Sequence, residues 1–257
     1  MRIAVFVTCL AEAFAPEVAD AAAELVANTA ADVQVVLVGD ACCGQPAWNA
    51  GYAAEARSLA RRLIPRLLAY DAVVVPSGSC AAMLLRYYPH LFAAGDPLAA
   101  QAESLAAKTH ELSAYLAARL TDADAAEGDA IGPGARPTLA SQVPIAFHPS
   151  CHSLRGAFVG DAGQRCLAAA GCQLRQQADA EECCGFGGMF AVKEEALSTA
   201  MADRKLEALI SASVETVVSG ELGCLLHLEG RARRRGMLLR FRHLAQVLAE
   251  RGHEASD

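Results

Sequence analysis

The chain has 257 residues, a formal net charge of −7 at pH 7, and 54% apolar residues. This apolar fraction is enough for one large domain or two of ordinary size, and it argues against intrinsic disorder. The negative charge argues against general nucleic-acid binding, because phosphate contacts need clustered Lys and Arg.

The first half alternates apolar runs, which predict buried strands, with stretches of helical period. Strands are predicted at residues 2–8, 33–38 and 72–76. Helices are predicted after Pro16, at about 51–70 with a kink at Pro65, and at about 97–120. Strands that alternate with helices predict a parallel sheet covered on both faces.

The second half repeats this order after residues 121–142, which are rich in Ala, Asp, Gly and Pro and are predicted to form a linker. Strands are predicted at 144–148, 172–176, 214–218 and 237–241, and helices near 161–170, at 193–211 and up to about residue 250. The predicted fold is therefore α/β, with two duplicated, pseudo-symmetric Rossmann-like units at residues 1–120 and 143–257. The cysteines fall on strand-end loops, where parallel sheets place their ligands.

Eight of the ten cysteines form two sets of four with similar spacing. The first set is Cys9, Cys42, Cys43 and Cys80, and the second is Cys151, Cys183, Cys184 and Cys224. The intervals are 33 and 37 residues in the first set and 32 and 40 residues in the second. Scattered core cysteines have no reason to repeat their spacing, so the sets indicate a duplication with a period of about 142 residues.

The N-terminus resembles a signal peptide faintly, with Arg2 followed by the apolar stretch 3–10. Cleavage there would remove Cys9, whose counterpart the second half retains, so we reject a signal. No apolar run reaches the roughly 18–20 residues that span a bilayer, so we expect no transmembrane segment. A cytoplasmic location is therefore expected, where cysteines stay reduced and available to metal.

Four thiolates that converge from strand-end loops can hold a [4Fe-4S] cluster, so we expect one iron-sulfur cluster in each repeat. Cys80 and Cys224 are predicted at helix N-termini, where the helix dipole favours thiolate. Cys166 and Cys172 are expected to pack in the core. Structural zinc remains an alternative, although neither set contains a Cys-x-x-Cys pair, and so does thiol-disulfide chemistry.

The cysteine motifs resemble the CCG domain, which occurs in tandem in a heterodisulfide reductase subunit and in iron-sulfur subunits of glycolate and glycerol-3-phosphate oxidising systems. They are most similar to the lactate utilization protein A family in the stretches 6–10, 42–52, 76–80, 150–156, 183–188 and 223–226. The resemblance implies an iron-sulfur electron-transfer subunit of a complex that oxidises L-lactate to pyruvate. It also implies partner subunits, among them a ferredoxin-type iron-sulfur protein, and L-lactate as a candidate ligand.

Both sets depart from the wider CCG pattern, which ends in Cys-x-x-Cys. Met83 and His227 stand where the last cysteine is expected. The reductase relatives use the complete set for non-cubane clusters that cleave a disulfide, so this loss favours ordinary four-thiolate clusters here. The alternatives are a heterodisulfide-reductase-like or glycolate-oxidase-like subunit and, in another class, a zinc-stabilised scaffold.

Four further residues are candidate neighbours of the clusters. His148 and His152 lie on either side of Cys151, and His227 occupies the position of a missing cysteine. His148 and His152 are candidate cluster neighbours or proton carriers, with an ordinary structural hydrogen bond as the alternative. His227 is a candidate cluster ligand or a hydrogen-bond donor to a ligand. The planar guanidinium of Arg155 could hold a carboxylate substrate, and a structural ion pair is the alternative role.

Overall fold

The computed structural model describes residues 1–120 and 144–254. The predicted linker lies outside these residues, and the division of the chain at 121–142 stays a prediction. Two parallel sheets are present in the described part, with the strand orders β2-β1-β3-β4 and β5-β6-β7. The strands are β1 (Arg2–Phe6), β2 (Gln34–Val38), β3 (Ala72–Val75), β4 (Thr109–Glu111), β5 (Ile145–Phe147), β6 (Thr216–Ser219) and β7 (Arg240–His243). The predicted α/β class with parallel sheets is confirmed.

Helices connect the strands in both halves. Those of the first half are α1 (Cys9–Phe14), α2 (Glu17–Ala27), α3 (Gln45–Asn49), α4 (Ala53–Leu68), α5 (Gly78–Ala82), α6 (Tyr88–Leu91), α7 (Ala99–Ala107) and α8 (Leu112–Ala117), with a π-helical turn at Met83–Tyr87. Those of the second half are α9 (Cys151–Arg155), α10 (Ala162–Ala169), α11 (Met189–Lys193), α12 (Glu195–Ser211), α13 (Leu222–Arg234) and α14 (Leu244–Glu254). No helix in the described ranges is long and apolar enough to cross a membrane.

The second sheet repeats the strand order of the first. In the first half β1 lies between β2 and β3. In the second half β5 pairs with β6 on one side and, on the other, makes an isolated bridge from Ile145 to Leu174. The edge strands β4 and β7 occupy matching places beside β3 and β6. The two halves therefore share one topology, as a duplication requires.

The predicted helix at 97–120 is wrong, because the strand β4 interrupts it between α7 and α8. The ammonium group of Lys108 donates to two backbone carbonyl groups near the end of α4, and this contact holds the end of α7. Glu111 then caps α8, since its carboxylate accepts a hydrogen bond of 3.1 Å from the N–H of Ala114. Leucines at helical spacing continue across the break, so their period hides it.

Smaller differences concern the ends and faces of elements. The predicted strand at 172–176 is reduced to the single bridge at Leu174, and the last strand lies at Arg240–His243. In α12, Leu206 and Leu209 are fully buried, whereas the Ile210 side chain is 47% exposed. Pro65 lies inside α4, which continues to Leu68.

One apolar core is shared by the two halves. In β1, Ile3 and Val5 face this shared core, whereas Ala4 and Phe6 face the helices on the outer side of the sheet. Helix α2 packs against α14, and α8 packs against α10, so the inner helices of each half bury their apolar faces on the other. The halves therefore form one folded body rather than two separate ones.

A buried carboxyl group lies at the junction of the halves. Glu111 is 2% exposed, and it accepts hydrogen bonds from the Ser113 hydroxyl and the Ala114 N–H. A Cβ atom at Gly220 of the second half would lie 3.3 Å from the Glu111 Oε1 atom. Burial raises the pKa of Glu111 to about 7, since a buried carboxylate loses its hydration.

We expect Glu111→Gln to remove one part of the pH dependence of stability. Between the ordinary pKa of 4.5 and about 7, the unfolded chain has released this proton while the folded chain keeps it. The free energy of unfolding of the native protein should therefore fall as the pH rises through this range. Each pKa unit is worth about 1.4 kcal/mol, so the fall relative to the variant should reach roughly 3 kcal/mol.

Urea unfolding at about pH 5 and about pH 8 measures this difference. Glu103→Gln is the matched control, because Glu103 is exposed on α7. Identical pH profiles for the native protein and Glu111→Gln would show that the Glu111 carboxyl group titrates normally.

Candidate functional site

Four of the repeated cysteines lie in the first turn of a helix, after the carboxyl end of a parallel strand. Cys9 begins α1, Cys151 begins α9, and Cys80 and Cys224 occupy the third positions of α5 and α13. The hydroxyl groups of Thr8 and Ser150 cap α1 and α9 by accepting hydrogen bonds from backbone N–H groups two residues beyond each cysteine. The predicted helix starts at Cys80 and Cys224 are confirmed, and those at Cys9 and Cys151 are new.

The doubled cysteines depend on a left-handed glycine. Gly44 and Gly185 have φ angles of 87° and 91°, a backbone conformation that residues other than glycine rarely adopt. A Cβ atom at Gly185 would lie 2.5 Å from the carbonyl oxygen of Ser198. This turn lets the two glycine N–H groups donate to the sulfur atoms of Cys42 and Cys183, each at 3.4 Å.

The thiols of each set come together. The distances between sulfur atoms are 4.0 Å for Cys9 and Cys42, 3.1 Å for Cys43 and Cys80, and 2.9 Å for Cys184 and Cys224. All are longer than a disulfide bond of about 2.05 Å, and the cysteines are free thiols. Both sets thus offer converging sulfur ligands.

One cysteine of each set is a ready thiolate. Hydrogen bonds from the thiols of Cys43 and Cys9 lower the pKa of Cys42 to about 2. In the second set, hydrogen bonds from Cys151 and Cys184 lower the pKa of Cys183 to about 2. Donation to this thiolate, together with burial, raises the pKa of the donating thiols in both sets. Since thiolate is the form that binds metal, each set has the charge that a cation would meet.

Both sets open into one cavity of about 140 Å³ between the halves. Seven of the eight repeated cysteines line it: Cys9, Cys43, Cys80, Cys151, Cys183, Cys184 and Cys224. The cavity arises because α5 of the first half packs against α9 of the second, and α1 packs against α13 in the same way. Groups held by the two sets would therefore share one chamber.

Glu221 joins the halves beside this cavity, and the sequence analysis missed it. It stands where the first half has Ser77, three residues before the last cysteine of the set. Its buried carboxylate accepts hydrogen bonds from the Ser77 hydroxyl at 3.0 Å and the Ser79 N–H at 2.8 Å. Glu221 therefore caps α5, the helix of the other half that carries Cys80. The replacement of Ser77 by an acid in the aligned repeat is the signal that could have found it.

His148 lies deepest of the candidate neighbours. It is 0% exposed, and neither ring nitrogen has a hydrogen-bond partner in the described part of the chain. One ring nitrogen lies within 4.8 Å of the sulfur atoms of Cys184 and Cys224. Burial lowers the pKa of His148 to about 3, so the imidazole is neutral at physiological pH. The aligned residue of the first half is Phe6.

Of the other candidate neighbours, His152 lies in the cavity and Arg155 lies outside it. His152 lines the cavity, with its Nε2 atom 3.1 Å from Nε2 of Gln45. The Nε2 atom of His227 lies 3.3 Å from the Ser198 hydroxyl, and burial lowers its pKa. Arg155 is exposed, lines a separate open pocket with Arg204, and donates to a backbone carbonyl group.

The remaining cysteines are structural, as expected. Cys166 is fully buried in the shared core, and its thiol donates to the carbonyl oxygen of Ser113 at 3.6 Å. Cys172 packs against the same core from its edge. Clustered thiols thus line the cavity, and the unpaired imidazole of His148 lies near two of them, Cys184 and Cys224. These donors suit a thiolate-bound metal or iron-sulfur group.

Comparisons with known proteins agree with this chemistry. A model of the CCG cysteine-rich domain matches residues 3–85 and 145–229. "Lactate utilization protein A" of Geobacillus kaustophilus is 37% identical over 252 residues, which cover 98% of this chain and 100% of the relative. "Lactate utilization protein A 2" of Bacillus cereus is 30% identical over 251 residues, covering 97% and 98%. Glutamate racemase RacE1 of Bacillus anthracis aligns over 97% of this chain and 79% of its own, with a TM-score of 0.37 and an identity of 12%.

We expect Glu221→Ala to lower the free energy of unfolding by about 1–3 kcal/mol, because the buried Ser77 hydroxyl and Ser79 N–H lose their acceptor. Urea unfolding measures the change. Glu229→Ala in α13 is the control, since Glu229 pairs with Arg233 at the surface and should matter little. Equal effects of the two substitutions would contradict a structural role for the contact between the halves.

Proposed function

Because this chain belongs to the lactate utilization protein A family and carries two CCG cysteine-rich domains, we propose that it is the iron-sulfur electron-transfer subunit of a complex that oxidises L-lactate to pyruvate. The observation that carries this proposal is the convergence of two sets of free thiols on one cavity. The link to lactate comes from the names of the relatives.

Each set supplies the four thiols that one [4Fe-4S] cluster needs. The ligands would be Cys9, Cys42, Cys43 and Cys80 in the first repeat, and Cys151, Cys183, Cys184 and Cys224 in the second. A bound cluster supplies one-electron transfer, at a potential that proteins tune within roughly −700 to +450 mV. The four-thiol donor set and the low pKa of Cys42 and Cys183 support this assignment.

The chain's own groups hold the thiolates in place. The N–H groups of Gly44 and Gly185 donate to the sulfur atoms of Cys42 and Cys183, which stabilises negative charge there. The phenol of Tyr88 donates to the carbonyl oxygen of Cys43 at 2.9 Å and fixes the backbone of that pair. Burial of Cys43, Cys80, Cys184 and Cys224 keeps water from these sulfur atoms.

The proposed complex contains further subunits, among them a ferredoxin-type iron-sulfur protein that exchanges electrons with this chain. L-Lactate is a candidate ligand of the complex. Arg155 is a weaker candidate for its carboxylate, since it lies outside the cysteine cavity. A cytoplasmic location is part of the proposal, because free thiols persist in a reducing compartment.

A second candidate function is dithiol-disulfide exchange. The short distances between Cys43 and Cys80 and between Cys184 and Cys224 favour it, since each pair needs only a small movement to form a bond. Adjacent thiolates also suit structural zinc. Metal and sulfide content separates these candidates from the cluster.

We expect the anaerobically purified or reconstituted chain to hold about eight iron and about eight sulfide, as two [4Fe-4S] clusters require. Cys43→Ser and Cys184→Ser should each lose about half, because each substitution removes a ligand of one set. Iron, acid-labile sulfide and zinc are measured per chain. Cys166→Ser is the control, since Cys166 lies in the shared core.

Bound zinc without acid-labile sulfide would indicate a zinc-stabilised scaffold protein instead. Metal-free chains with disulfides between Cys43 and Cys80 would point to thiol exchange. A chain that holds both clusters should then be reduced by L-lactate in the presence of its partner subunits, and reduction by glycolate instead would assign the glycolate-oxidase-like role.

A further inference from the structure

We propose that His148 donates an N–H hydrogen bond to a sulfur atom of the group held by the second cysteine set, and that the two sites differ in reduction potential for this reason. The inference rests on the proposed function and deepens it. The two repeats would then be unequal partners in electron transfer, in spite of their common topology.

The first argument is the unpaired state of a buried ring. His148 is fully buried, and both of its nitrogen atoms lack a partner among the described residues. Buried polar groups are nearly always hydrogen-bonded, so an orphaned imidazole points to a partner that comes with a ligand. One ring nitrogen and the sulfur atoms of Cys184 and Cys224 all lie within 4.8 Å of one another, so a group held by these cysteines would lie beside the ring.

The cation beside this ring is already engaged. Lys205, whose charge acts on His148, donates its ammonium protons to the backbone carbonyl groups of Asp179 and Ala180 at 2.6 and 2.7 Å. It therefore does not provide the missing contact. The group at the cysteines is the remaining candidate for a partner.

The first repeat supplies the comparison. Phe6 stands at the position of His148, is fully buried, and has no polar atom in its side chain. The first set therefore has no side-chain hydrogen-bond donor at this position. Since four thiolates complete a [4Fe-4S] cluster, the nitrogen of His148 is not needed as a ligand in the second set. Its role is then that of a hydrogen-bond donor.

A donor at this place has a defined electrostatic effect. Reduction adds negative charge to the cluster and its sulfur atoms, and an N–H group directed at a sulfur atom stabilises that charge. The second site should therefore have the more positive potential and accept an electron before the first. The other two candidate histidines already have partners: the Nε2 atom of His227 lies 3.3 Å from the Ser198 hydroxyl, and His152 has its Nδ1 atom 3.6 Å from the Cys151 sulfur and its Nε2 atom 3.1 Å from Gln45.

The test is a redox titration of single-site chains, followed by electron paramagnetic resonance. Cys43→Ser isolates the second site and Cys184→Ser isolates the first. In the Cys43→Ser chain, His148→Phe should shift the potential to a more negative value with iron content unchanged, and His148→Gln, which keeps an N–H donor, should shift it less. In the Cys184→Ser chain, Phe6→His should shift the potential of the first site to a more positive value.

Iron and sulfide are measured before each titration. A second site with full iron content and an unchanged potential in both His148 variants would overturn the proposal. Nitrogen hyperfine coupling that shows His148 bound to iron would overturn it as well. If His148→Phe does not fold, His148→Gln and Phe6→His test the proposal instead. An unchanged reduction potential in both of these variants would overturn it. A chain that takes up no sulfide at all fails at this earlier step, which refutes the cluster function and the inference that rests on it.

Discussion

In each cysteine set, the last cysteine lies on a helix that packs against a helix of the opposite repeat. Helix α5, which carries Cys80, rests on α9, and α13, which carries Cys224, rests on α1. These two helix contacts between the repeats bring the carboxyl ends of the strands of both sheets to a common cavity. Gly78 shows how close the approach is, because a Cβ atom there would lie 1.9 Å from the Ser153 hydroxyl. The geometry of one set is therefore inseparable from the fold of the other repeat.

The same arrangement resolves a problem of charge. Several thiols within 2.9 to 4.0 Å of one another cannot all ionise without strong repulsion. The structure concentrates negative charge on Cys42 and Cys183, which accept hydrogen bonds from glycine N–H groups and neighbouring thiols. Donation to these thiolates and burial raise the pKa of four other thiols, those of Cys9, Cys43, Cys151 and Cys184. This order of ionisation suits a site that is loaded with metal after folding.

Much of this architecture could be predicted from the sequence, and the exceptions have physical causes. Strand alternation, the duplication and the helix starts at Cys80 and Cys224 follow from local patterns of apolar residues, proline and glycine. The strand β4 escapes such a prediction because leucines keep a helical period across Thr109–Glu111. Glu221 and the unpaired ring of His148 depend on contacts between distant parts of the chain, which no local pattern records.

The hydrogen bond from Ser77 to Glu221 makes the contact between the two repeats asymmetric. These residues occupy equivalent places in the two repeats, yet they bind each other, so they lie on the axis that relates the halves. A homodimer built from the second repeat alone would bring two glutamate side chains together at this buried point, with repulsion between them. One built from the first repeat would leave α5 without its carboxylate cap. At this contact each repeat thus supplies what the other lacks: the second provides the carboxylate, and the first provides the hydroxyl and N–H donors.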